Sequence, residues 1–429
     1  MSMPSPTLHR LRIAAPFLVL AVTAAACSSE TAAPPPDVTL RIPSTTEPVP
    51  DGPQALRLGI LLPRSGVFAP IGAATTVGVD LALADLEAGG GVLGQPVEVI
   101  RLDSGSDAGV AATSMSTLLE EGSVVGVVGP ASGVAGEAVL GVVAGSDVAV
   151  CSPSIAAVDL GGAQPPMGLV RTMPTDDLTA RALGNRVTAT GTTTVAILTP
   201  DDGRGEGWAA GVVDGLAADV EIVHDQPYDP TDIGFDDEAA ALVESEAEAL
   251  VLLARDEGTD IIGAVRAAGF DGTIWVTDQL GSPDLASLVE TDEIRVGDVR
   301  MVWAAAASAQ PDFTTRFVEA APPDTPELFA AHAYDCVLTI ALAAEQAGTT
   351  DPAEFTKFMA SISRLGTPCP TWTECRDLIA DGDDIDFEGV SGPLDLRRGV
   401  PTAGVFEIMA WTGAGDRETL ETFSYPASD

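Results

Sequence analysis

Val125-Gly-Val-Val-Gly-Pro-Ala-Ser-Gly133 reads as a strand that stops at a Gly-Pro turn and delivers a hydroxyl and small residues to a helix start. Val148-Ala-Val-Cys-Ser-Pro-Ser154 repeats the pattern one unit later. Free N–H groups at such helix starts favour anions, and ligands of open α/β sheets bind outside the carboxyl ends of the strands. Serine also caps helices, so these hydroxyls suit a structural role as well. The alternation extends in both directions. Periodicity predicts strands over 56–62, 97–102, 124–128 and 148–151, with helices near 72–87, 108–121 and 135–144 between them. After Arg171 it resumes, with helices over 177–189, 207–217, 236–245 and 259–268 among strands over 194–198, 220–223, 249–253 and 273–276. Strands separated by helices of this length indicate parallel sheets, so the expected fold class is α/β, with two doubly wound parallel-sheet lobes. The tail is less regular, with helices over 327–347 and 352–362, a cysteine loop and two strands near 405–410.

Among the 429 residues, 46% are hydrophobic and 20% charged, enough to bury more than one core. Lys plus Arg number 21 against 63 Asp plus Glu, a net charge of −42, and Lys357 is the single lysine. Such a charge repels phosphate backbones, which excludes nucleic acid as a partner. His9, His224 and His332 are too scattered for a histidine-rich metal site. Gly203-x-Gly205-x-Gly207 lacks dinucleotide-fingerprint spacing, and no phosphate loop or G-x-S-x-G elbow occurs. With so many carboxylates, chance pairs are abundant and none identifies an acid–base dyad. No enzyme and no cofactor is expected.

Arg10 and Arg12 precede an uncharged apolar run, Ile13 to Ala26, which is too short to span a bilayer and has the layout of a secretory signal. It ends in Ala24-Ala-Ala-Cys27-Ser-Ser29, which resembles a bacterial lipoprotein signal whose cysteine becomes the acylated first residue. Ala24 departs from the usual leucine, and an ordinary signal cut after Ala-x-Ala is the other reading. Residues 1–26 are then signal peptide, and residues 27–54, rich in Pro, Ser and Thr, form an extended tether. No later segment reads as a membrane-spanning helix. Export agrees with Cys369-Pro-Thr-Trp-Thr-Glu-Cys375, a short loop expected to close as a disulfide worth about 2 kcal/mol in the chain-entropy model. Cys151 and Cys336 fall in apolar patterns and read as buried free thiols.

Several stretches in order resemble one family: Leu58-Gly-Ile-Leu-Leu-Pro-Arg-Ser-Gly66, Glu87-Ala-Gly-Gly-Gly-Val-Leu-Gly94, Val127-Val-Gly-Pro130 and Ser152-Pro-Ser154. Val170-Arg-Thr-Met-Pro-Thr-Asp176, Tyr334-Asp335 and Gly389-Val-Ser-Gly-Pro393 follow. The chain is similar over residues 55 to about 412 to the type I periplasmic binding proteins of branched-chain amino acid (Leu/Ile/Val-binding-like) ABC transporters. The resemblance implies two lobes joined by three hinge crossings, near 173–176, 300–303 and 389–393. The first lobe would take residues 55–174 and 302–390, and the second 175–301 and 391–415.

It also implies a ligand carboxylate held at Ser132-Gly133 and Ser154-Ile155-Ala156, an ammonium held by Asp278, and Tyr334 near the cleft. Helix packing explains Tyr334 as well. Gly133 and Ala156 stand where the family often has a serine and a threonine. Ile71, Asp202 and Ala254 stand where amino-acid binders often have tyrosines. The implied function is an exported, membrane-anchored, monomeric solute-binding lipoprotein that passes a small polar ligand, an amino acid or amide, to an ABC permease. The alternative is a sensor on the same fold that signals occupancy to a membrane partner.

Overall fold

The structure, a computed structural model, describes residues 54–120, 124–157, 169–280, 299–305, 311–411 and 417–426. The signal peptide and the tether up to residue 53, with Cys27, lie outside the described residues.

Five parallel strands form the first sheet: β1 (Arg57–Leu62), β2 (Glu98–Asp103), β3 (Gly126–Val128), β4 (Ala149–Ser152) and β5 (Leu169–Arg171). Their order, β2-β1-β3-β4-β5, reverses direction between β1 and β3. The second sheet begins with β6 (Thr194–Pro200), β7 (Glu221–Tyr228), β8 (Ala249–Leu252), β9 (Thr273–Thr277) and β10 (Val299–Ala304), in the order β7-β6-β8-β9-β10. These five are also parallel, so the second lobe repeats the winding of the first and reverses between β6 and β8. Three short strands, β11 (Thr367–Cys369), β12 (Ile385–Gly389) and β13 (Gly392–Pro393), make a small sheet. Finally β14 (Gly404–Trp411) and β15 (Arg417–Tyr425) extend the second sheet antiparallel beyond β10.

The segment 300–303, expected as a hinge crossing, lies inside β10. Val299, Met301 and Val302 are buried there, and β9 and β14 pair with both sides of its backbone, which a free crossing would leave unsatisfied. The helix Ala69–Ala88 is, contrary to expectation, long and apolar enough by composition to cross a membrane. It is a core helix instead: a Cβ added at Gly78 would stand 2.0 Å from the Ala330 carbonyl oxygen, so the helix Ala330–Ala347 lies directly on it. Its Ala74, Val77, Val79, Ala82 and Leu86 are buried, while Asp80 and Glu87 face outward. The helix beginning at Pro352 ends at Phe355, short of the expected 362.

Cys151 at the end of β4 and Cys336 in helix Ala330–Ala347 are bonded, with their Cα atoms 5.4 Å apart. This corrects the reading of two free thiols. The helix packs across β4 and brings the cysteines within bridging distance, across a sequence separation of 185 that no local pattern reveals. A loop of that length corresponds to roughly 5 kcal/mol in the chain-entropy model. Cys369 and Cys375 form a second disulfide, Cα–Cα 5.2 Å. Two disulfides suit an oxidising compartment.

Candidate functional site

In the first lobe the chain leaves β3 through Gly129-Pro130 and reaches Ser132, which caps the helix Gly133–Val143 by accepting a hydrogen bond from the Ala135 N–H at 3.4 Å. Ser132 and Gly133 are half-buried, and a Cβ at Gly133 would meet nothing within 4 Å. One strand over, Ser152 donates to the Pro130 carbonyl at 2.6 Å and accepts from Ile155 N–H at 3.2 Å. Ser154 donates to the Ala131 carbonyl at 3.0 Å. These bonds tie the β3 and β4 ends into one rim, with Ser154 and Ala156 half-buried on it.

The second lobe meets this rim. The N–H of Asp176, first residue of the helix Asp176–Ala189, donates to the Ala156 carbonyl at 3.0 Å. Ala156 and Ile71 both pack against the core that holds Leu178, Trp208 and Trp275 of the second lobe. Asp278 follows β9 in a single turn, Asp278–Leu280. It lies deep in the fold, yet its own surface is only half-buried. Burial first, and the nearby Asp176 carboxylate second, push the Asp278 carboxyl up to about 7. Arg171 is buried beside this pair; burial pulls its guanidinium below the ordinary value and Asp176 opposes the shift. Its backbone N–H donates to Gly399 at 2.9 Å, and its guanidinium to the Ala157 carbonyl.

The strand ends thus bring Ser132, Gly133, Ser154 and Ala156 onto one side and Asp278 onto the other, with Asp176 between. Asp176 was legible only as a hinge residue in the Val170–Asp176 stretch; nothing in the sequence separates it from a helix-start aspartate. Tyr334 goes elsewhere. Its hydroxyl donates to Asp85 at 2.6 Å, and Arg316 pairs with the same carboxylate at 2.7 Å. These three line a cavity of about 430 Å³ with Phe313 and Trp372 near the Cys369–Cys375 loop, apart from the strand ends. Asp202 and Arg255, at the ends of β6 and β8, form an ion pair of 2.9 Å. Gly205 is there for space: a Cβ would stand 1.9 Å from the Pro200 carbonyl oxygen. Among the described residues no group of three or more His, Cys, Asp or Glu could hold a metal ion.

The arrangement can receive a small molecule between two lobes, with N–H and hydroxyl donors at one end and two carboxylates at the other. Comparison with known proteins agrees. The chemotactic signal transduction system substrate-binding protein BasB of Halobacterium salinarum is 25% identical over 395 residues, covering 86% of this chain and 90% of the relative. The branched-chain amino acid transporter substrate-binding protein LivJ of Streptococcus pneumoniae, solved with isoleucine, superposes with a TM-score of 0.62 at 21% identity, over 86% of this chain and 99% of that one. A solute-binding protein of an R. palustris ABC transporter, solved with benzoate, reaches 0.56 at 20% identity over 86% and 96%. At these identities the solved structures carry the fold. The profile of the family described as periplasmic binding protein matches residues 55–377, three quarters of the sequence, and so the chain belongs to that family of extracytoplasmic solute-binding proteins.

Proposed function

We propose that the protein is a lipid-anchored receptor that closes its two lobes on an amino acid and presents it to an ABC importer. The observation that carries this reading is the Asp176–Asp278 pair opposite the Ser132 and Ser154 rim. Burial and the Asp176 carboxylate both disfavour the ionised Asp278, and a ligand ammonium beside it would offset that. The ligand carboxylate then meets the Gly133 helix start, where N–H groups and the helix dipole favour an anion. An acid without an ammonium, such as the benzoate of the R. palustris neighbour, would bring Asp278 no cation. A thermal-shift panel of the twenty amino acids and benzoate at pH 8 tests this. An amino acid at about 100 times its Kd should add about 2.7 kcal/mol of stability. Stabilisation by benzoate alone would overturn the amino-acid reading.

Anchoring through Cys27 is part of the proposal, with the 27–54 tether spanning from membrane to body. Intact mass of the membrane fraction should show a chain that begins at Cys27 and carries acyl mass; a secreted, unmodified chain contradicts it. A sensory role is the second reading, favoured by the likeness to the chemotactic BasB of Halobacterium salinarum.

A further inference from the structure

The second sheet reverses its winding between β6 and β8, and ligands of doubly wound sheets sit in the crevice at that point. Asp202 follows β6 and Arg255 follows β8, so their ion pair occupies the crevice. Both side chains are about one-third exposed, at 34% and 31%, which places them on the open edge of the sheet and not in its core. They are also held in place. Asp202 accepts from the Gly205 N–H at 2.9 Å, and Glu257 accepts from the Arg255 N–H at 3.3 Å and from the Tyr228 hydroxyl at 2.8 Å. The register Leu252↔Val276 brings the ends of β8 and β9 to the same edge, and Arg255 and Asp278 lie in the segments that follow them. Arg255 is engaged by Asp202, and the neighbouring charge that acts on Asp278 is that of Asp176.

We infer that the Arg255–Asp202 pair is a distal subsite for an uncharged side chain ending in a carboxamide, so that the receptor takes glutamine or asparagine in preference to branched-chain amino acids. The inference rests on the amino-acid reading above and names its substrate class. A carboxamide carries an acceptor for the guanidinium and a donor for the carboxylate, and it satisfies both without separating them. An aliphatic side chain would strip water from the pair and return no hydrogen bond. A side-chain carboxylate would compete with Asp202 inside a chain of net charge −42.

Calorimetric titration with L-glutamine, L-asparagine, L-leucine and L-glutamate at pH 8 tests it on the parent, Arg255→Met and Arg255→Lys. The parent should bind glutamine or asparagine at least tenfold more tightly than leucine or glutamate. Arg255→Met should lose that advantage while its leucine affinity changes less than about twofold. Should Arg255→Met fail to fold, Arg255→Lys, which keeps a charge but not the planar fork, should show a reduced carboxamide preference. Leucine or glutamate bound as tightly as the carboxamides by the parent overturns the inference and leaves the amino-acid reading standing; so does an unchanged preference in the variants. Binding of none of the four overturns the amino-acid reading and the inference with it.

Discussion

Asp278→Asn is expected to weaken binding of an amino acid about a hundredfold at pH 8, a loss of about 2.7 kcal/mol. Lobe closure takes the ligand ammonium out of water, and an enclosed charge left without its partner costs about 3–5 kcal/mol. Asparagine keeps the shape and removes the charge. The pH dependence has a definite sign. The folded protein holds the Asp278 carboxyl up at about 7, above its ordinary value of 3.8. Folded protein therefore binds more protons than unfolded chain between about pH 4 and 7, and this group's contribution to stability falls as pH rises through that window. Empty Asp278→Asn lacks that loss, so at pH 8 it should melt no lower than the parent. Binding an ammonium favours the ionised form, so amino-acid affinity of the parent should fall as pH drops below 7, while the variant's stays flatter. Calorimetry of both proteins at pH 6 and 8 checks this. Equal affinities would place Asp278 outside the ligand's reach.

A second large effect is expected away from the cleft. Asp335 is fully buried in helix Ala330–Ala347, and its carboxylate accepts from the N–H groups of Val390 and Ser391, each at 2.9 Å, and from the Ser391 hydroxyl. A Cβ at Gly389 would stand 2.2 Å from that carboxylate, so only glycine lets the chain pass. The helix and the segment 389–391 are pinned together here. Asp335→Ala leaves two backbone donors without an acceptor inside the protein, at about 1–3 kcal/mol each, and opens a small void. Urea unfolding should show a loss of roughly 2–5 kcal/mol. Burial pushes the Asp335 carboxyl up to about 7, against the hydrogen bonds from Ser391 and Val390. Burial thus makes the ionised form less favourable in the folded protein than in the unfolded chain. Asp335→Asn, which keeps one acceptor and adds no charge, should fall between parent and Ala. An Asp335→Ala protein as stable as the parent would mean that the segment 389–391 is held by other contacts.

Much of this fold was legible because its strands are buried on both faces. The runs at 58–62, 125–128, 195–198 and 249–253 are apolar without interruption, as parallel strands covered by helices must be. Once both windings are known, the strand ends locate Ser132, Ser154 and Asp278 without further information. What escaped notice lacked such a signal. The strand β5 is three residues long, and β15, Arg417-Glu-Thr-Leu-Glu-Thr-Phe-Ser-Tyr425, is an exposed edge with few apolar positions. The segment 300–303 carries Arg300 and Trp303 among apolar residues and resembles a linker until β9 and β14 are seen on either side. Partners far apart in sequence were hidden altogether: Cys151 with Cys336, Tyr334 with Asp85, and Asp176 with Asp278. Each pair is made by packing between units, which no local periodicity records.

Closure of two lobes on a ligand is the centre of this account, and small-angle scattering reads it most directly. Protein saturated with the amino acid that raises its melting temperature most should have a smaller radius of gyration than ligand-free protein, because ligand shifts an open–closed equilibrium towards the closed form. An unchanged radius at saturation would contradict it.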